Sequence, residues 1–272
     1  MDHRHRVAIV GFGHVGNGMR QIFPEAVIYD KFLPDYSDTR AQINECELGI
    51  ICVPTPKVEL DGSCDVSMVE EVVSWLETPL ILIKSTVPPR TTERLRQKYR
   101  KRIVVSPEYF GESSYWLPEA FSPRGWPYLI LGGERKDTGA ILSIFTPVLG
   151  PDKIYRQTDS RTAELTKFME NAWLACQITF ANEFAAIANT FEVDYSELRE
   201  LWGLDPRVSR WHTLVFPEKP GFGGKCLPKD LQAIIAEAGN AGYDARFLEE
   251  VWQSNIRFQS SLYTSDGLVN RR

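Results

Sequence analysis

The chain lacks the marks of a disulfide-built, metal-bound or membrane-embedded protein. Its five cysteines are odd in number and form no CxxC pair, which speaks against a disulfide framework or a zinc site and implies reduced thiols. No metal is expected. No apolar run approaches the ~20 residues of a membrane-spanning helix, and the N-terminal MDHRHRVAIVGFG enters a strand without a signal-peptide layout. No membrane association and a cytoplasmic setting are therefore expected. A net charge of −5 leaves no nucleic-acid footprint, so the positives between Arg94 and Arg102 read as a solvated helix face. Histidine is scarce: beyond His3, His5 and His14 only His212 remains. A histidine base has little supply, so Lys, Asp, Glu, Cys or water must handle protons.

What is present suffices for a sizeable core. With 272 residues, 43% of them hydrophobic, two domains are expected, residues 1–155 and 156–272. Arg6 to Val10 is a short apolar strand followed at once by GFGHVG (Gly11, Phe12, Gly13, His14, Val15, Gly16) and a helix-like stretch from Asn17 to Phe23. Gly11 permits a tight turn, Gly13 lets backbone approach a pyrophosphate at the helix N-terminus, and Gly16 allows close helix–strand packing. A second strand, Val27 to Tyr29, ends at Asp30, near the spacing of the acid that binds the adenine ribose. Asp30 repels a 2′-phosphate, so NAD is favoured over NADP; Lys31 softens that preference without reversing it. A glycine turn of purely structural use is the alternative.

Further apolar runs at Leu48 to Val53, Leu80 to Ile83, Ile103 to Val105 and Tyr128 to Leu131 alternate with helix-like segments such as Ser67 to Leu76. The alternation predicts a parallel, doubly wound sheet. Ligands of such sheets bind beyond the carboxyl ends of strands. The segments there are VPTP (Val53, Pro54, Thr55, Pro56), KSTVP (with Ser85 and Thr86) and SPEYFGES (with Glu108, Tyr109, Phe110, Gly111 and Glu112). They form the expected cleft wall, although prolines also follow strands for steric reasons alone.

Between Arg161 and Phe191 there is no Gly or Pro, and Leu165, Phe168, Ala172, Ala175, Ile178, Thr179 and Phe184 recur at helical spacing. One long helix is predicted. Lys167 and Asn171 share a face one turn apart, placed to hold an oxyanion; a solvent-facing Lys and an interior Asn is the plainer reading. Farther on, GFGGKCLPKD (Gly221 to Asp230) carries Gly223, Gly224, Lys225, Cys226 and Lys229. Asp230 begins the apolar-periodic run Leu231, Ile234, Ile235, Ala238, which would leave Cys226 just ahead of a helix's positive end. Cations and helix N-termini favour a reactive thiolate; a buried, inert cysteine is the alternative.

In order and spacing, GFGHVG with Asp30, VPTP, KSTVP, SPE, AELTKFMEN and GFGGKCLPKD resemble the UDP-glucose 6-dehydrogenase and GDP-mannose dehydrogenase family over nearly the whole chain. The resemblance implies an α/β fold, an N-terminal Rossmann-type doubly wound sheet followed by an all-α domain built on one long helix. It implies NAD-dependent four-electron oxidation of a UDP-glucose-like primary alcohol to the carboxylate, through a thiohemiacetal and a thioester on Cys226. Lys167 and Asn171 would then stabilise oxyanions, and Asp230 would position water or take the first proton. Glu112 would serve thioester hydrolysis, while Thr86 would lie near the nicotinamide and the catalytic water.

NAD would be held by Gly11 to Gly16, Asp30, Lys31, Val53, Pro54, Thr55, Ser85, Thr86 and Lys229. The sugar would meet Glu108, Tyr109, Phe110, Gly111, Arg210, Phe222, Gly223 and Gly224, with Arg210 reaching across a homodimer built on the long helix. Members carry a third, C-terminal Rossmann-like domain, which is expected to be absent because the chain stops at Arg272. Two other readings stay open: a two-electron hydroxyacid-type dehydrogenase, and a catalytically idle protein that binds NAD or a nucleotide sugar.

Overall fold

A computed structural model describes residues 5–109, 122–264 and 267–270. Phe110, Gly111 and Glu112 lie outside the described residues. The chain divides into two compact units, Met1–Val58 with Cys64–Lys167, and Glu59–Ser63 with Phe168–Arg272.

The first unit is a seven-stranded sheet in the order β2-β1-β3-β4-β5-β6-β7. Its strands are β1 (Val7–Val10), β2 (Val27–Tyr29), β3 (Leu48–Ile51), β4 (Leu80–Ile83), β5 (Ile103–Val105), β6 (Tyr128–Gly132) and β7 (Ile154–Thr158). The residues of β1, β3, β4 and β5 are all buried, as expected of parallel strands covered on both faces. Their pairing is parallel and in register, with Val7 opposite Leu48 and Leu48 opposite Leu80. The sheet is parallel and doubly wound as expected, except at one junction where β6 meets β5 antiparallel through Val105 and Gly132. Then β7 runs parallel to β6 along five positions. A parallel neighbour requires a crossover whereas an antiparallel one does not, so the reversal joins two parallel sets. The edge strand β7, with its polar Arg156, Gln157 and Thr158, carries too little apolar signal to be read from sequence.

Helices cover both faces. Val7 and Ile9 pack with Met19 and Ile22 of α1 (His14–Ile22), and with Ile141, Ile144 and Phe145 across the same face. On the opposite face, Ala8 and Val10 pack with Ile43 of α2 (Arg40–Ile43), Val69 and Val73 of α3 (Ser67–Trp75) and Leu95 of α4 (Thr91–Tyr99). Ile141, Ile144 and Phe145 belong to α5 (Arg135–Leu149). Each buried Val, Leu, Ile, Met or Phe side chain among them stabilises the fold by about 1.5–3 kcal/mol.

The long helix α6 spans Ser160–Thr190. It is followed by α7 (Tyr195–Trp202), α8 (Leu227–Asn240) and α9 (Arg246–Gln259). The core of the second unit is Ala172 and Ala175 of α6 with Phe222, Leu231 and Val251. This unit is not purely helical: β8 (Ser261–Thr264) and β9 (Gly267–Asn270) pair as an antiparallel hairpin.

Glu164, in the first turns of α6, is 1% exposed. Its carboxylate accepts from the backbone amides of Arg90 (2.7 Å) and Thr92 (2.8 Å) at the start of α4. Burial is the main cause that pushes its carboxyl up to about 7 from the usual 4.5, against the opposing pull of these hydrogen bonds. A raised acid holds its proton longer in the folded state, so this contribution is complete below pH 4.5 and is lost as pH rises to about 7. Glu164→Gln removes the titration. Urea melts should show the stability of wild type relative to this variant falling by roughly 3 kcal/mol between those two pH values; a difference independent of pH would contradict the assignment.

Candidate active site

In the first unit, the β1–α1 turn is closed on its inner side and open on its outer side. Gly11 has φ +92°, and a Cβ there would stand 2.9 Å from the Cys52 and Val53 backbone; at Gly16 it would stand 2.1 Å from the Gly11 carbonyl oxygen. At Gly13 nothing lies within 4 Å. Gly13 is the extended N-cap of α1, so an anion has open backbone approach to the helix's positive end. Asn17 Nδ2 steadies the turn by donating to the Phe12 and Gly13 carbonyls (both 2.9 Å). His14 is exposed and Val15 half-buried in the first turn of α1.

The turn is tied to the end of β2. Gly11 N donates to Tyr29 O (2.8 Å), and Phe12 N donates to Asp30 Oδ2 (2.8 Å). Asp30 Oδ1 accepts from Phe32 N (2.9 Å). A carboxylate has acceptor capacity beyond two hydrogen bonds, so Asp30 retains lone pairs for ribose hydroxyls. Gly11, Asp30, Lys31, Val53, Pro54 and Trp75 line one cleft.

The loops beyond β3 and β4 lash together. Thr55 Oγ1 donates to Thr86 O (2.8 Å) and Ser85 Oγ to Val53 O (2.7 Å). Both hydroxyls, expected at the cofactor, are buried and spend their protons on each other's loop. Thr86 is partly exposed. Glu108, expected to face the sugar, is turned inward: its Oε2 stands 3.1 Å from Lys84 Nζ and its Oε1 accepts from Tyr109 N (2.7 Å). A charge buried in the sheet's end requires such a partner. Lys167 Nζ lies 4.9 Å from the centroid of the Tyr109 ring, which itself packs edge-on against Tyr128.

In the second unit, Cys226 is the N-cap of α8 and is exposed, whereas Cys46, Cys52 and Cys64 are buried and Cys176 is half-buried. Burial pushes the Cys46, Cys52 and Cys176 thiols up, away from the reactive thiolate. The helix thus starts at Leu227, three residues earlier than Asp230. Asp230 closes the first turn through its N–H to Cys226 O (2.9 Å). It is 2% exposed. Asn171 Nδ2 donates to its Oδ2, and Lys229 Nζ pairs with its Oδ1. Lys229, expected at the cofactor, is therefore engaged by its neighbour.

Gly223 and Gly224 are exposed beside Cys226. Phe222, expected at the sugar, is 2% exposed, and its ring packs in the core, 6.2 Å from Trp252. Three amides hold its stretch of backbone. Asn255 Oδ1 accepts from Phe222 N (2.6 Å), while Asn255 Nδ2 and Gln259 Nε2 donate to Phe222 O (3.0 and 2.6 Å). Asn182 Oδ1 accepts from Gly221 N (3.0 Å). Arg210 is paired within its own chain, with Glu200 (3.0 Å) and the Gly203 carbonyl (3.2 Å). Among the described residues no cluster of His, Cys, Asp and Glu is arranged to hold a metal ion, and no helix is long and apolar enough to cross a membrane.

Comparison with known proteins places both units. Residues 17–148 match the NAD binding domain, and residues 161–257 the central domain, of the UDP-glucose/GDP-mannose dehydrogenase family. The chain belongs to this family. It is 32% identical over 240 residues to a UDP-glucose 6-dehydrogenase of Pseudomonas aeruginosa, covering 82% of this chain and 51% of that protein. It is 33% identical over 208 residues to a UDP-N-acetyl-D-mannosamine dehydrogenase of Methanocaldococcus jannaschii, covering 72% and 46%. A UDP-glucose dehydrogenase structure from Pyrobaculum islandicum shares the fold, with a TM-score of 0.76 at 24% identity over 93% of this chain and 68% of that one. The chain spans about half the length of the curated relatives it matches.

Several residues of this family member's two units escape a motif reading. Lys84 lies inside KSTVP yet attracts no notice without Glu108 beside it. Asn255 and Gln259 sit on a helix whose periodicity marks only their apolar neighbours. Asn255 is wholly buried. Asn255→Ala strips the Phe222 N–H of its acceptor and should cost about 2–4 kcal/mol. Calorimetry should then show a Tm lower by roughly 5–10 °C; an unmoved Tm would rule out a structural amide clamp.

Proposed function

We propose that the chain is the dinucleotide-binding and central part of an NAD-dependent nucleotide-sugar dehydrogenase, with residues 1–155 for NAD and 156–272 for catalysis and dimerisation. Cys226 would carry a four-electron oxidation of a primary alcohol to the carboxylate. The observation that bears most weight is the exposed Cys226 thiol at the positive end of α8, one turn from an Asp230 already paired with Asn171 and Lys229.

The fit to NAD rests on the open backbone at Gly13 and on Asp30, which lines a cleft with Gly11 of the same turn. Bound NAD supplies the hydride acceptor, one molecule for each of two oxidations. Cys226 then does what a hydroxyl would do poorly: its Sγ adds to the aldehyde carbon of the half-oxidised sugar and later leaves as a thiolate. The thiohemiacetal formed by that addition loses two electrons and becomes a thioester. Water cleaves the thioester to the acid and regenerates the thiol.

The start of α8 favours negative charge on Sγ. Asn171 gives one N–H to Asp230 and has a second to donate to an oxyanion, and Lys167, one turn earlier on α6, adds a cation. Asp230 holds that amide in place. Thr86 and Glu112 are proposed for the hydrolytic water, and Gly223 and Gly224 for backbone approach to the sugar. UDP-glucose and UDP-N-acetylmannosamine are the first substrates to test, because relatives are named for both.

A homodimer through α6 is supported by one apolar stripe. Met169, Trp173, Phe180, Phe184, Ile187 and Phe191 recur along one face, and Met169 and Trp173 are 75% and 61% exposed. Such a face is unlike the surface of a monomer.

Two measurements bear on this reading. With either sugar, wild type should release two NADH per sugar and Cys226→Ser at most one, with kcat lower by at least ~100-fold. One NADH per sugar and indifference to the substitution would overturn the covalent route. Sedimentation should show a dimer that Trp173→Glu converts to monomer; a monomeric wild type would remove the proposed interface.

A further inference from the structure

The cleft beside the glycine turn carries a second carboxylate that the NAD-binding fingerprint does not include. Glu71, on α3, lines the same cleft as Asp30 and Lys31. Its Oε2 stands 2.8 Å from Lys31 Nζ, and both side chains are partly open to solvent, at 47% and 40% exposure. Lys31 directly follows Asp30 and lines the same cleft as the acid that would receive the ribose hydroxyls. A second cation on this side, Arg40, is also engaged: its guanidinium lies 4.2 Å from the Trp75 ring centroid and 5.5 Å from that of Tyr29.

We propose that Glu71 is a specificity-determining residue that keeps the cleft selective for NAD over NADP by holding Lys31. The proposal rests on the reading of this cleft as the adenosine end of the NAD site. A 2′-phosphate brings about −1.5 to −2 charges, and it gains affinity wherever a lysine ammonium is available to it. With Glu71 present, the ammonium is neutralised by a carboxylate across the cleft, and Asp30 and Glu71 together outweigh Lys31. An incoming phosphate would have to displace Glu71 from Lys31 and sit beside two carboxylates. The uncharged 2′-hydroxyl of NAD meets no such opposition and finds acceptors on Asp30. Asp30 alone would leave Lys31 competing against it; Glu71 removes the competitor. The pair is solvent-exposed, so its influence is of moderate size and sensitive to salt.

The test is isothermal titration calorimetry of the full chain with NAD+ and NADP+, read as the ratio of the two affinities. Glu71→Gln should raise the NADP/NAD affinity ratio by roughly 3- to 10-fold in dilute buffer, with much of the gain lost near ~0.5 M salt. Adding Lys31→Met to Glu71→Gln should cancel the rise, because the freed ammonium is then gone. Glu71 lies on the surface of α3, and a thermal melt of each variant confirms the fold before titration. A ratio unmoved by Glu71→Gln, with NAD binding retained, would overturn the proposal while leaving the NAD site standing. So would a rise that survives Lys31→Met. A wild-type chain that binds neither dinucleotide would overturn the cofactor reading itself.

Discussion

The first unit depends on one steric condition, the approach of Gly16 to the Gly11 carbonyl oxygen, which leaves a Cβ only 2.1 Å of room. Because no side chain intervenes, α1 begins immediately against the end of β1, and its first amides face outward at the open Gly13. The same tight turn aims the Gly11 and Phe12 amides at the end of β2, where Tyr29 O and the Asp30 carboxylate receive them. The open Gly13 and the Asp30 carboxylate, proposed for the phosphates and the ribose, are therefore set by a single piece of backbone. Lys31 and, across the cleft, Glu71 follow from where that backbone puts Asp30.

The second unit answers a different problem, the burial of charge. Asp230 lies almost wholly inside, a costly position for a carboxylate unless hydrogen bonds and an opposite charge compensate it. Asn171 and Lys229 supply both. The groups proposed for catalysis thus first satisfy one another, and that mutual satisfaction orients the amide and leaves Cys226 at the mouth of α8. Behind the cysteine, the loop is held through its backbone by Asn182, Asn255 and Gln259, which frees Phe222 to fill the core.

Much of this was legible before any fold was known, and for identifiable reasons. The glycine turn, Asp30 and the strands of continuous apolar residues were readable because turn geometry and burial on both faces constrain neighbours in sequence. The long helix was readable because glycine and proline are missing from it, and its observed span, Ser160–Thr190, lies within a residue of expectation at each end. The reversal of β6 and the edge strand β7 were not, since strand direction depends on where a chain returns and an edge strand needs little apolar character. Phe222 and Glu108 stood in motifs that suggested ligand contact, but burial turned both inward. Thr55 and Ser85 stand at strand ends where a cofactor is expected, and only the tertiary structure pairs their hydroxyls with each other's loops.

The sequence by itself determined the family, the glycine turn with Asp30 after the next strand, the long helix, and a cysteine at a helix start. These are local properties, carried by residues within a turn or two of each other. Only the tertiary structure decided which polar groups meet: Phe12 with Asp30 across 18 positions, Lys31 with Glu71 across 40, and Asn171 with Asp230 across 59. Hydrogen bonds and ion pairs act over a few ångströms, so residues that far apart in the chain have no interaction until sheet and helices bring them together.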